Sequence, residues 1–194
     1  FIPVGLAVII FFSFPVLIML AAPLIEGHSP GLARIGIAVF AFAGLGVAVG
    51  PSFNDLDIRG ILLAAAAAVA CVLQFFSGRS ISTYMTPTVF GSLVHLTILP
   101  AAFLVALYAG DGVIRIFPGG TATGPGLAFM AGVGAIYVVA YMVHMLSLRF
   151  APASTVAPYY NLEPVMTTLV AAVLLGERLN LNQYLGGGMV LTAL

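Results

Sequence analysis

Glu163 is the residue whose type and place most invite chemistry. It lies about ten residues into an apolar segment from Ala153 to Leu175, near the middle of a bilayer if that segment crosses one. An acid there costs roughly 2.5–3.5 kcal/mol on insertion scales and ordinarily faces a cavity or a partner. Such a carboxylate can bind a cation, carry a coupling proton or hold a substrate amine. Its structural alternative is local: Pro164 follows, and a carboxyl beside a proline can bond backbone groups that the proline leaves free. Tyr159, Tyr160 and Asn161 precede it. Tyr159 and Glu163 are four residues apart and share a helix face, as do Tyr160 and Pro164. Tyr159 with Glu163 would make an aromatic, acid-tipped lining; the alternative is that the rings only pack. Asn161 adds an amide to the same stretch.

Other polar side chains interrupt apolar runs. Gln74 comes late in the third such run and His95 midway along the fourth. Either can bond a substrate or tie neighbouring helices together. Tyr137, Tyr141 and His144 follow at i, i+4 and i+7 in the fifth run, a stripe that suits a pore wall or a packing face.

These residues need helices to position them, and the composition says where those helices lie. The chain is 62% hydrophobic and 6% charged, with a mean hydropathy of +1.19. Soluble domains carry about 45–50% apolar and 25% charged residues. Seven apolar segments are separated by short polar breaks: Phe1–Ile25, Leu32–Val49, Gly60–Phe76, Pro87–Ala109, Gly124–Leu148, Ala153–Leu175 and Tyr184 to the end. Each full segment has the length of a membrane-crossing helix. None alternates as a barrel strand does. The expected fold is all-α, with about seven transmembrane helices. Ser77–Thr86 reads as a polar link and Gly110–Thr123 as the longest loop. The chain starts and stops inside apolar segments and reads as a piece of a longer one.

Charge excludes some partners. Six acids balance six basic residues, all arginine, so there is no basic patch for nucleic acid. Positive charges divide evenly between alternate loops, so they set no orientation. Arginine without lysine, beside abundant alanine and glycine, suggests a GC-rich bacterial genome. Cys71, the single cysteine, has no partner for a disulfide or a metal site and reads as a small buried hydrophobe. No cofactor motif is present.

The chain repeats itself. Phe1 and Pro3 match Phe150 and Pro152, and the same 149-residue offset brings Pro15-Val16 onto Pro164-Val165, Leu20 onto Leu169 and Gly27 onto Gly176. One further loop residue aligns Gly36 with Gly186. The first span thus matches the sixth. Copies separated by five helices must lie oppositely in the membrane, the inverted-repeat plan of many secondary transporters.

The stretch Ala140–Leu194 resembles the second half of an EamA domain, from the drug/metabolite transporter superfamily. The matching features are the basic turn at Arg149, the small residues Ala151–Ala157, Glu163-Pro164, Gly176-Glu177 and the glycines Gly186–Gly188. Residues 1–50 resemble the last two helices of a preceding repeat, and residues 57–194 a second repeat of about five helices. The resemblance implies a ten-helix bundle of two inverted repeats, with both termini of the whole protein in the cytoplasm. It departs from the pattern where Phe14 stands in register with Glu163, and His28 with Glu177.

The expected function is secondary transport of small metabolites, as an exporter working by alternating access in a bacterial inner membrane. No span carries a mid-membrane Arg or Lys, which disfavours phosphate-bearing cargo. Amino acids or hydrophobic amines suit the acid and aromatic residues better. The implied partners are a small-molecule substrate, the lipid bilayer and a coupling proton; a homodimer is a compatible assembly. Substrate-contact candidates are Glu163, Tyr159, Asn161, His95, Gln74, Tyr141, His144 and Tyr137. The alternatives are a structural subunit of a membrane complex and a membrane-embedded enzyme. The second lacks HExxH, GxSxG and P-loop motifs.

Overall fold

The computed structural model describes residues 1–50, 56–109, 124–176 and 178–194. Every regular element among them is helical: α1 (Val4–Phe11), α2 (Phe14–Ile25), α3 (Leu32–Val49), α4 (Ile58–Ile81), α5 (Pro87–Ala109), α6 (Gly124–Phe150), α7 (Ala153–Val156), a 3-10 segment (Ala157–Asn161), α8 (Leu162–Leu175) and α9 (Leu181–Ala193). Among the described residues, five spans are long and apolar enough to cross a membrane: Val4–Ile25, Leu32–Val49, Ile58–Ile81, Pro87–Val105 and Ala131–Phe150. The protein is therefore an all-helical membrane bundle. Asp55, Asp111, Arg115 and Glu177, and the expected Gly110–Thr123 loop, lie outside the described residues.

Local chemistry sets the helix ends. Asp57 Oδ1 accepts the Arg59 N–H at 2.8 Å and starts α4. At α9, the Asn180 side chain accepts from Gln183 N while the Gln183 side chain accepts from Asn180 N, a reciprocal capping box. Gly50 (φ 59°) and Gly176 (φ 68°) end α3 and α8 in the left-handed conformation that a side chain disfavours. Two expected borders move. The polar link begins later, because α4 runs on through Ser77–Ile81: Arg79 donates from Nη1 to the carbonyls of Leu148 (2.8 Å) and Arg149 (2.7 Å), which satisfies its charge at the helix end. The last helix starts earlier, at Leu181, because of the capping box.

Prolines interrupt two spans at matching places. Pro15 has no N–H for Phe11, and the chain turns at Phe12–Ser13, where Ser13 Oγ donates to Ile10 O at 2.7 Å. In the second copy Pro158 and Pro164 lack the N–H groups that would reach Ser154 and Tyr160, and Ala157–Asn161 tightens into a 3-10 turn between α7 and α8. Under the 149-residue offset, Phe12 and Ser13 correspond to Asn161 and Leu162. The sixth segment is thus helical from Ala153 to Leu175 but broken in its first third.

The described residues form two compact units, Phe1–Ser77 with Ala151–Leu194, and Gly78–Phe150. In the first, α3 and α9 meet at glycines. A methyl at Gly44 would lie 2.8 Å from Met189 Cβ, and one at Gly186 would run into Gly44 O and Ala48 N. Gly44 faces the later residues of this α9 stretch and Ala48 the earlier, so the helices run antiparallel. Small residues let membrane helices approach this closely, and packing then replaces the hydrophobic drive that lipid cannot supply. Leu45 and Val190 are buried beside the crossing. In the second unit, α5 meets α6 where Gly91 leaves room for Tyr141 and Met142. Large apolar side chains such as Leu24, Leu32 and Tyr108 are almost wholly exposed, as lipid-facing residues are.

Candidate functional site

Glu163 stands in the first turn of α8, which continues directly from the 3-10 segment. With Tyr159, Tyr160, Leu162 and Met166 it lines an open pocket of about 330 Å³. Tyr159 and Glu163 line the same pocket, Tyr159 from the 3-10 segment and Glu163 from α8. Tyr159 is exposed, and Tyr160 is half-buried. The Tyr160 ring meets Phe75 edge-on at 5.1 Å and Phe14 at 6.2 Å, and Phe14 and Phe75 lie 5.5 Å apart. Aromatic contacts of this kind add about 0.5–1.5 kcal/mol each beyond their buried area. They fix the Tyr160 side of the pocket.

Cys71 belongs to the same neighbourhood. Its thiol and the Tyr160 hydroxyl lie close enough to the Glu163 carboxylate to interact with it electrostatically. Cys71 is half-buried rather than enclosed. Gln74, one turn further along α4, is exposed. Their i, i+3 spacing was the available signal for Cys71, but only the folded chain brings α4 to α8.

Asn161 is placed differently from its neighbours. Its residue is fully buried, and neither Oδ1 nor Nδ2 has a hydrogen-bond partner among the described residues. It does not line the Glu163 pocket.

In the second unit the Tyr137–Tyr141–His144 stripe meets His95 across α5 and α6. His95 Nδ1 lies 2.7 Å from Gly91 O. A carbonyl only accepts, so Nδ1 carries the proton, and in the neutral ring Nε2 accepts from the Tyr137 hydroxyl at 3.1 Å. His95 also meets Tyr141 edge-on at 4.8 Å, and Tyr141 lies 6.3 Å from His144. Tyr141 is buried and its hydroxyl has no partner among the described residues. The expected residues therefore gather as two clusters: Glu163 with Tyr159, and His95 with Tyr137, Tyr141 and His144. Among the described residues, no three His, Cys, Asp or Glu side chains gather as a metal site would require.

No curated protein matches the chain. A solved crystal structure, described only as that of a protein, is similar with a TM-score of 0.79 and 19% identity. The match covers 98% of this chain and 65% of the other, so this chain spans less than two thirds of that protein's length. At that identity the likeness concerns the fold alone. The sequence profile of the EamA-like transporter family matches residues 58–194. That is well over half of the chain, and it takes in α4 to α9 with both clusters. The chain belongs to the EamA-like transporter family, a family of membrane transporters in the drug/metabolite transporter superfamily.

Proposed function

We propose that the protein acts as a secondary carrier that exports small cationic or zwitterionic metabolites, amino acids or hydrophobic amines, across a bacterial inner membrane. The observation that carries this reading is the Glu163 carboxylate in an open pocket walled by Tyr159 and Tyr160. A substrate ammonium gains charge-assisted hydrogen bonds from the carboxylate and cation–π attraction from an adjacent ring face. Leu162 and Met166 in the same wall suit an apolar substituent. A proton on Glu163 and a cationic substrate compete for one site, which couples the flow of one to the other. The interrupted span supports movement, since a 3-10 stretch within a helix often marks a hinge. The antiparallel crossing of α3 and α9, helices aligned by the repeat, supports two inverted repeats, residues 1–50 and 57–194, rocking about a central site. Gln74 and Asn161, and separately in the second unit His95, Tyr137, Tyr141 and His144, are further candidates for substrate contact. A homodimer is compatible with this reading.

The test is transport by the full-length protein in vesicles, wild type against Glu163→Gln, over labelled amino acids and amines with an imposed pH gradient. Wild-type transport is expected to respond to the gradient, and the variant is expected to lose that response. Identical behaviour of the two proteins would remove Glu163 from the coupling role.

A further inference from the structure

Glu26 immediately follows α2, and its carboxylate reaches the start of the second copy's interrupted helix. Oε1 accepts the Ala153 N–H at 2.6 Å, and Oε2 accepts the Ser154 hydroxyl at 2.7 Å. The Glu26 side chain is 8% exposed and Ser154 is buried. His28 Nε2 lies 3.7 Å from Glu26 Oε2, and His28 Nδ1 lies 3.4 Å from the Glu26 carbonyl oxygen. Ser154, His28 and an acid invite a catalytic reading, but the geometry opposes it. The serine gives its short hydrogen bond to the carboxylate and lies 3.5 Å from the same Nε2 that faces the carboxylate. The imidazole does not stand between the two. The arrangement is a tie between segments more than a hundred residues apart.

The repeat gives this tie a contrast. At the 149-residue offset, Ala153 and Ser154 correspond to Val4 and Gly5, and Glu26 to Leu175. Gly5 has no hydroxyl to give, and Leu175 has no carboxylate and is exposed. In this register the buried carboxylate–hydroxyl pair occurs in one copy's direction and not the other's.

The tie also sits beside the 3-10 segment and a side chain shared by two pockets. It holds α7, a turn of four residues, which the 3-10 segment Ala157–Asn161 connects to α8. A pocket of about 200 Å³ adjoins it, lined by Arg34, Ser154, Thr155, Pro158 and Tyr159 among others. Tyr159 also lines the Glu163 pocket, so one side chain forms a wall of both spaces.

From these three observations we propose that Glu26 and Ser154 form the latch of a gate beside the Glu163 site. Closed, the latch fixes α7 and keeps Tyr159 between the two pockets. Open, α7 swings about the 3-10 segment, Tyr159 moves with it and the pockets join. This rests on the transporter reading and adds to it a gating contact.

The test is thiol accessibility in the full-length protein, reconstituted in liposomes, with Cys71→Ala and a single new cysteine from Thr155→Cys. Modification by a membrane-impermeant maleimide is timed with and without Glu26→Gln or Ser154→Ala, and helix content is checked by circular dichroism. Each latch substitution is expected to raise the modification rate several-fold with helix content unchanged. An unchanged rate in a correctly folded variant would overturn the proposal. If Glu26→Gln does not fold, Ser154→Ala decides alone, because it removes the side-chain bond and leaves the Ala153 N–H bond in place. The readout counts thiols and not cargo, so a failed transport assay and a failed latch give different results.

Discussion

Pro164 stands three residues after Asn161, where a capping asparagine would find the backbone N–H it normally accepts. Asn161 precedes α8 directly, its backbone is already helical (φ −64°, ψ −15°), and it makes no capping bond. The proline removes one possible donor, and the backbone conformation is not the extended one of a normal cap. The side chain is left fully buried with both polar atoms unpaired among the described residues. The equivalent position in the first copy holds Phe12, buried and satisfied by apolar contact.

That comparison predicts the effect of Asn161→Leu. An unpaired buried polar group costs about 1–3 kcal/mol, and leucine keeps asparagine's branched skeleton without its polar atoms. The substitution is expected to raise the midpoint of thermal unfolding in detergent while lowering transport, because an amide retained at such a cost is available to a substrate or to a second conformation. A fall in the midpoint would mean that Asn161 already has a partner in the resting protein.

A second prediction concerns the helix crossing. Gly186→Ala would press a methyl into Gly44 O and Ala48 N, backbone atoms that cannot turn aside, whereas a methyl at Gly188 meets nothing within 4 Å. Gly186→Ala is therefore expected to lower stability by about 1–3 kcal/mol, the usual range for overpacking, and Gly188→Ala to leave it nearly unchanged. Denaturation of both variants in the same detergent checks the contrast; equal stability would show that α3 and α9 do not cross there.

How much of this was legible beforehand depends on whether a feature is local. The limits of α3 at Leu32–Val49 and of α5 at Pro87–Ala109 coincide with the polar and proline borders of the sequence. The i, i+4 relation of Tyr159 and Glu163 led to one pocket wall, and the i, i+4, i+7 stripe of Tyr137, Tyr141 and His144 led to one helix face. The continuation of α4 to Ile81 was not legible, because Arg79 finds its acceptors about seventy residues away at Leu148 and Arg149. The approach of Cys71 to Glu163, the Phe14–Phe75–Tyr160 cluster and the Glu26–Ser154 bond are likewise tertiary, and no spacing along one helix announces them.

The aromatic cluster can be tested by size. Phe75 is 2% exposed and packs on both Phe14 and Tyr160. Phe75→Ala is expected to cost about 3–5 kcal/mol and to weaken substrate affinity as well, since Tyr160 loses its support. Phe75→Leu restores most of the volume and is expected to recover most of the stability but less of the affinity. Unfolding and binding measured on the same preparations would separate the two effects, and unchanged affinity in Phe75→Ala would detach the cluster from the site.

The His95 cluster yields a paired prediction from two tyrosines one helical turn apart. The Tyr137 hydroxyl donates to His95 Nε2, so Tyr137→Phe leaves that nitrogen without its acceptor role and is expected to cost about 0.5–1.5 kcal/mol. The Tyr141 hydroxyl is buried with no partner among the described residues, so Tyr141→Phe removes an unpaid desolvation and is expected to leave stability unchanged or slightly higher. If the Tyr141 hydroxyl serves the substrate, its loss must then appear in transport alone. Thermal unfolding of the two variants decides the first point. A clear loss of stability in Tyr141→Phe would show that this hydroxyl is already engaged within the protein and is not held ready for a ligand.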